Sequence, residues 1–422
     1  MLLNQREEIT RQHISILGMA WAGWMFDFYD LMLLSFLLVP IKRDLGLSNW
    51  ELSFLLGTTL AATAAGGIVF GALADRFGRK RVLTWTLLTY SAGAFLCGLA
   101  PGFWLFLLFR VITGLGVGGE WATGQTLIGE TFPARLRARF AAVMQTGAPL
   151  GILLASLVGS FLEPVFVSGF GPAWGWRACF LISVFPALLV VFIRRHMPES
   201  DVWESQRDRA RPGTLDLLRD LKADRTLRRL FLLGLVLALA DMSAYWFTYT
   251  WMPKYLYDQL GFSLARSGIW MIVTQIAAFT GYLSYGVVAD WKGRRWAYSV
   301  FSVIWAAGLL GITWFWSAIG IWPWLPLLFM ILVGLGTGNF SGYGPIFSEL
   351  FPTRIRSSAM GTAFNLSRGA QFFTPLIITW ITTMPIARSH GLGAGISVGA
   401  FFALFTGAWV WLLPETRGTE IQ

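Results

Sequence analysis

Five ionisable side chains stand inside long apolar stretches of this chain: Asp27, Asp30, Arg110, Asp241 and Arg368. A sixth, Glu120, follows Arg110 in the same stretch. An ionisable group at bilayer depth costs about 2.5–3.5 kcal/mol, so it persists when it is paired, faces a water-filled cavity or works. The residue types suggest what that work would be. A carboxyl group stripped of water favours its neutral form, and an adjacent guanidinium favours the ionised one, so a buried acid beside an arginine can load and unload a proton. A guanidinium also presents a planar fork that matches a carboxylate bidentately. Asp27 and Asp30 are three residues apart and share a helix face. Asn365 and Gln371 lie three residues on either side of Arg368 and are candidate hydroxyl or carbonyl contacts for a substrate. Tyr29 and Tyr249 lie near the acids and are candidate contacts for a ring or acyl chain. His13, His196 and His390 fall at the ends of stretches, so proton chemistry belongs to the carboxylates. There is no metal-ligand spacing, nucleophile motif or phosphate loop, which argues against an enzyme and against a cofactor. Cys97 and Cys179 are more readily read as two buried thiols than as a disulfide.

Positioning such groups requires membrane spans. Apolar residues make up 55% and charged residues 13% of the chain, and mean hydropathy is +0.59. The charged share is about half that of a soluble domain. A span needs about 20 apolar residues, and twelve stretches qualify: 14–39, 52–74, 82–100, 103–130, 138–162, 177–195, 229–256, 265–289, 296–316, 324–349, 357–383 and 396–413. The runs are too long and too uniform for barrel strands. The first holds Asp27 and Asp30 and lacks a small-residue cleavage site, so it reads as a span rather than a signal peptide. The net charge of +10 follows topology, not nucleic acid. With both termini cytoplasmic, of the basic residues only Lys42, Arg43, Arg177, Lys254, Arg266 and Arg388 fall outside, which is the positive-inside pattern. Helix rise then gives depths. Asp27 lies roughly 20 Å from the inner face and Arg110 roughly 10 Å from the outer face. In a core of about 30 Å these are one level. Asp241 and Arg368 fall at about 16 Å, so four charges converge near the midplane. Glu120 lies about 15 Å deeper than Arg110, towards the inner leaflet, as a proton exit, an inner gate or the partner of a loop arginine.

The spans repeat. Gly71-Ala-Leu-Ala-Asp75-Arg-Phe-Gly78-Arg79-Lys80 returns as Gly286-Val-Val-Ala-Asp290-Trp-Lys-Gly293-Arg294-Arg295. Glu130-Thr-Phe-Pro133-Ala-Arg-Leu-Arg137 returns as Glu349-Leu-Phe-Pro352-Thr-Arg-Ile-Arg356. Gly114, Gly116 and Gly118 return as Gly334, Gly336 and Gly338, and Pro198-Glu199-Ser200 as Pro414-Glu415-Thr416. All offsets lie between 215 and 220 residues. The expected architecture is therefore all-α and integral to the membrane. It has twelve transmembrane helices in two pseudo-symmetric six-helix bundles, residues 1–196 and 229–422. A cytoplasmic linker, 197–228, joins them, and Leu215, Leu217, Leu218 and Leu221 could form a short amphipathic helix within it.

These motifs resemble those of the major facilitator superfamily over essentially the whole chain. The first basic turn matches the superfamily's loop 2–3 motif, and Arg110-Val-Ile-Thr-Gly114-Leu-Gly116 resembles its fourth-span motif. The Pro-Glu-Ser and Pro-Glu-Thr-Arg-Gly segments resemble those of sugar porters. Asp27-Phe-Tyr-Asp30 and Gly118-Gly119-Glu120-Trp121 resemble the proton-coupled carboxylate branches, such as sialic acid, aromatic acid and monocarboxylate symporters. The seventh span, around Ala240-Asp241-Met242-Ser243, lacks the Gln-Leu-Ser run of sugar porters. The resemblance implies a monomeric, multi-pass inner (plasma) membrane transporter whose partners are protons, a small organic anion and lipid. Asp27, Asp30, Arg110, Asp241 and Glu120 would couple protons, and Arg368, Asn365, Gln371, Tyr29 and Tyr249 would bind substrate. Asp75, Arg79, Lys80 and Glu130, with Asp290, Arg294, Arg295 and Glu349, would form ion pairs locking the cytoplasmic side. The alternatives are a proton-coupled sugar or polyol symporter, a drug exporter, and a transporter-like sensor.

Overall fold

The computed structural model describes residues 8–133, 140, 143–196, 198–199, 204, 214–315, 322, 324–352, 356–385 and 387–416. They form helical rods running back and forth. α1 is Arg11–Leu45, α2 Asn49–Phe77, α3 Arg79–Gly98 and α4 Phe103–Thr131. α5 is Val143–Phe170. α6 joins Pro172–Leu181, Ile182–Leu188 and Leu189–His196. A connector helix, Thr214–Ala223, leads into α7, which joins Arg225–Tyr249 and Met252–Asp258. α8 is Leu264–Lys292 and α9 Arg294–Trp314. α10 joins Leu325–Gly336, Thr337–Gly342 and Tyr343–Leu350. α11 joins Arg356–Ala370 and Phe373–Ile381, and α12 is Leu392–Leu412. Among the described residues nine rods are long and apolar enough to cross a membrane. The other three, α3, α6 and α11, occupy the positions of the spans expected at 82–100, 177–195 and 357–383.

Local chemistry starts and stops these rods. Ser48 accepts from the Glu51 amide while Glu51 accepts from the Ser48 amide at 2.7 Å, a reciprocal cap at the start of α2. Gly78 (φ 101°) and Gly293 (φ 104°) make the hairpins from α2 to α3 and from α8 to α9. A side chain is strained at that φ, which explains why the repeat keeps glycine there. Large apolar side chains such as Ile68, Val69, Phe185 and Phe401 stay exposed, as a lipid-facing surface requires. Exposed Trp104, Trp322, Trp324 and Trp380 gather at one end of the rods, and Trp291, Trp296 and Trp411 at the other. That is the aromatic-belt arrangement of a membrane protein.

Each half packs in the same way. α4 lies against α2 and α3, and α10 against α8 and α9; α1 lies against α5, and α7 against α11. The fourth-rod glycines serve two neighbours at once. A Cβ on Gly114 or Gly118 would strike Thr59 or Thr63 of α2, whereas one on Gly116 would strike Tyr90 of α3. Gly334 and Gly336 repeat the pattern against Thr274 of α8 and Trp305 of α9. Gly147 and Gly151 let α5 press on the α1 backbone at Trp21 and Met25. α10 does loosen: Thr337–Gly342 tightens to a 3-10 turn just ahead of Pro345, whose missing N–H leaves Ser341 without its helical donor. The connector helix buries Leu217 and Leu221 against the C-terminal half, touching α7 and α11, rather than lying free.

The halves meet along α2 with α11 and along α5 with α8. Ser53 donates to the Pro375 carbonyl at 2.9 Å and lies 2.6 Å from the Thr379 hydroxyl. Ser156 donates to the Gly268 carbonyl at 2.9 Å. Ser53 and Gly268 are repeat equivalents, as are Ser156 and Pro375, with offsets of 215 and 219 residues. The two fasteners are thus one device used twice, and both lie towards the Gly46 end of the bundle. Each buried hydroxyl-to-carbonyl bond is worth about 1 kcal/mol. Replacing Ser53 and Ser156 together with Ala should therefore move the balance towards opening at this end about 30-fold. Distances between spin labels on the 46–48 and 259–263 turns should lengthen. Distances that match the parent protein would refute the role.

Candidate functional site

α1, α4 and α11 bring five of the predicted charges together. Asp27, Asp30, Arg110, Glu120 and Arg368 are all buried, none more than 2% exposed. The repeat explains the convergence, because α4 and α1 sit side by side in one half while α11 approaches from the other. Arg110 donates from Nη1 to Asp30 Oδ2 at 3.1 Å and from Nε to Thr59 at 3.3 Å. The buried pair is thus Arg110 with Asp30, and the sequence left open which acid it would be. Asp27, one turn away, is left otherwise: neither of its oxygens has a hydrogen-bond partner among the described residues. The nearest charges acting on it are Glu120, Arg368 and Asp30.

Glu120 is closer to this cluster than helix depth suggested. Its carboxylate fills the space where Gly23 of α1 would carry a Cβ, one turn from Asp27. Both its oxygens lack partners among the described residues, and the arginines of the 134–139 loop lie outside them. Depth along one helix gave the level but not the azimuth, and the glycine that admits the carboxylate lies on another helix. Arg368 is the counterpart. Its two Nη atoms are buried without partners among the described residues. Its guanidinium stands 5.8 Å from the Trp24 ring and 5.9 Å from the Phe364 ring, on opposite halves. Those ring faces favour the cation without consuming its N–H groups. The fork of donors therefore remains available to an anion.

Other expected contacts are placed elsewhere. Tyr29 turns into its own half, with its hydroxyl 3.0 Å from Ser183 of α6. Gln371 donates to the Ser367 carbonyl at 2.9 Å and to Ser243 at 3.3 Å while accepting from Thr374 at 2.7 Å, so its amide joins α11 to α7. Asn365 packs on α2 at Gly67, between the halves. The Tyr249 ring lies tilted against Tyr245 with centroids 4.7 Å apart, and Tyr245 meets Phe28 of the other half at 6.0 Å. Asp241 departs most from expectation. It accepts from Asn339 at 3.0 Å inside the C-terminal half and takes no part in the central cluster. His13 is tied to Thr10 and to the Thr131 carbonyl, and the His196 side chain lies outside the described residues. Cys97 and Cys179 are separate buried thiols.

At the Gly78 end the expected ion pairs form within each half. Arg79 meets Glu130 at 2.9 Å, and Arg294 meets Glu349 at 3.1 Å and Asp290 at 2.5 Å. The Asp75 side chain lies outside the described residues. Arg295 extends towards the Trp411 ring at 6.0 Å. Two acids missing from the predicted site complete the arrangement. Glu199 accepts from the backbone amides of Arg79 at 2.9 Å and Lys80 at 3.2 Å. Glu415 accepts from those of Arg294 at 3.0 Å and Arg295 at 3.2 Å. Each occupies the open N-terminus of α3 or α9, where free N–H groups and the helix dipole favour a carboxylate. The repeated Pro-Glu pair was the signal; the distance along the chain concealed its partner. Glu199→Ala or Glu415→Ala should each cost about 1 kcal/mol, as a lost cap does. Thermal unfolding in detergent should register this as a lower midpoint for each variant, and unchanged midpoints would contradict the capping role.

Two six-helix bundles related by an internal repeat, with paired and unpaired charges buried between them, define a membrane transporter rather than an enzyme. The chain belongs to the Major Facilitator Superfamily, whose family profile matches residues 20–375. It is 32% identical to a putative metabolite transport protein of Haemophilus influenzae over 97% of both chains. It is 30% identical to the cis,cis-muconate transport protein of Acinetobacter baylyi over 94% of both chains. Its fold matches the xylose transporter of E. coli in a partially occluded inward-open conformation. That match has a TM-score of 0.77 and 20% identity, covering 97% of this chain and 100% of the other.

Proposed function

We propose that this chain carries a small organic anion, a carboxylate or sugar acid, across the inner membrane together with a proton, by alternating access. The observation that carries the reading is the Arg368 fork, buried and unpartnered among the described residues, with the unpartnered acid Asp27 of the other half acting on it. A carboxylate would satisfy Arg368 bidentately. Asp27 and Glu120 would hold the co-transported proton, while Asp30 and Arg110 form the ion pair beside them. The relative that transports cis,cis-muconate, an organic acid by name, supports the class of cargo. The two halves, 1–196 and 229–422, would rock as bodies joined by 197–228, with both termini cytoplasmic and the monomer as the working unit.

The Pro-Glu segments that resemble those of sugar porters cap helix starts, and so carry no contact for a sugar. Likeness to the xylose transporter is a likeness of fold. Drug export would leave Arg368 without a ligand. The test is uptake into proteoliposomes under an imposed pH gradient or an imposed potential, with a panel of carboxylates and sugars. One proton with one monovalent anion moves no net charge, so uptake should follow the pH gradient. A potential, worth about 2.3 kcal/mol per charge per 100 mV, should not drive it. Uptake of neutral sugars alone, or uptake driven by potential alone, would refute the proposal.

A further inference from the structure

Asp241 has no role in the central cluster, yet it is fully buried. Its Oδ1 accepts from Asn339 Nδ2 at 3.0 Å, and Asn339 also reaches Ser302 at 3.3 Å. Its Oδ2 makes no hydrogen bond of ordinary geometry among the described residues, and neither do Asn339 Oδ1 and the Tyr298 hydroxyl, although the Tyr298 and Tyr343 hydroxyls lie close enough to act on the carboxyl group. The groups packed around it come from every neighbouring helix. α8 supplies Tyr282 and Tyr285, α9 Tyr298 and Ser302, and α10 Asn339 and Tyr343, whose hydroxyl donates to the Ala238 carbonyl at 3.0 Å. Thr406 of α12 stands behind Ser302 at 3.3 Å. Tyr245 lies one turn along α7, and Arg368 of α11 faces Asp27 and Tyr245 instead. Arg368 aside, none of the groups named is a cation.

The internal repeat says what this site corresponds to. Asn339 meets Asp241 as Glu120 meets Gly23, and the two contacts are related by offsets of 219 and 218 residues, one residue having been lost from α10 after Gly338. In the N-terminal half the carboxylate comes from the fourth rod and the first rod makes room for it with a glycine. In the C-terminal half the carboxylate comes from the first rod and the fourth supplies an amide. Each half therefore holds one carboxyl group at the same internal position, contributed by opposite helices.

We infer that Asp241 is a proton-binding site of the C-terminal half, the repeat counterpart of Glu120 and electrically separate from Asp27. The proton adds to the bare Oδ2, where the Tyr298 hydroxyl and Asn339 Oδ1 can accept from the new O–H. Asn339 belongs to the 3-10 turn of α10, so the site ties the state of one proton to that turn. The inference does not rest on the cargo or on coupling at Asp27, since titration is read without flux.

The experiment is infrared difference spectroscopy of the full chain in nanodiscs, titrated between acidic and alkaline pH without substrate. A protonated-carboxyl C=O band should vanish in Asp241→Asn and survive in Asp27→Asn and Glu120→Gln. Tyr298→Phe, which leaves the acid in place, should shift the same band in frequency or midpoint. Spectra of Asp241→Asn that superimpose on the parent overturn the inference. If Asp241→Asn does not fold, a spectrum of Tyr298→Phe identical to the parent overturns it equally.

Discussion

Arg368→Ala should abolish recognition of acids. The guanidinium holds two buried Nη donors with no partner among the described residues, and no other free cation lies in the central cluster there. Truncating one partner of a buried, hydrogen-bonded charge pair costs about 2–5 kcal/mol, which is roughly 30-fold to several-thousand-fold in affinity. Binding measured by calorimetry in nanodiscs should fall by that factor for carboxylates. Arg368→Lys should recover part of it, because lysine restores the charge but not the planar fork. Emission from Trp24, 5.8 Å from the guanidinium, offers a second readout of occupancy. If Arg368→Ala binds the same acids within threefold, Arg368 is a packing cation and the proposed cargo class fails.

Asp27→Asn should separate transport from the proton. The amide keeps the shape of the carboxyl group and cannot titrate. Substrate counterflow between equal pH values should persist, while accumulation against a gradient should vanish. Under the proposed coupling of one proton to one anion, the parent protein should accumulate cargo up to about tenfold per unit of pH difference; the variant should equilibrate and stop. The sign is fixed by direction: uptake rises when the outside is more acid, because the proton is loaded there, and it falls as that side is made alkaline. Asp30→Asn should behave differently. It leaves Arg110 buried without its 3.1 Å acid, a loss of about 3–5 kcal/mol, so lower thermal stability should accompany any loss of flux. Continued accumulation by Asp27→Asn would assign the proton elsewhere.

The rods, their order and the repeat were legible in the sequence because each depends on local composition. Apolar length marks a span, and glycine at a fixed offset marks a tight turn or a close crossing. Helix rise gave each charge an expected level along its own rod. What a charge faces was not, because azimuth depends on a neighbouring helix. Tyr29 and Asp241 sit at suitable depths but point at Ser183 and Asn339 within their own halves. Asp30 and Asp27 share a face, yet Arg110 reaches one of them because α4 crosses there. Glu120 was placed near the inner leaflet until Gly23, ninety-seven residues earlier, proved to be the notch that receives it. Gln371 and Asn365 flank Arg368 in sequence but are drawn off to α7 and α2.

The caps at the starts of α3 and α9 carry a consequence for biogenesis. Glu199 and Glu415 both come from the segment that follows the sixth rod of their half. A ribosome therefore releases each clasp last, after every rod it secures has been made. The first bundle can be fastened shut while the second is still being synthesised, and an unfinished bundle keeps bare amides at its second hairpin. That exposed polar backbone would distinguish a half-made assembly from a finished one, which gives quality-control proteases a physical cue for telling them apart.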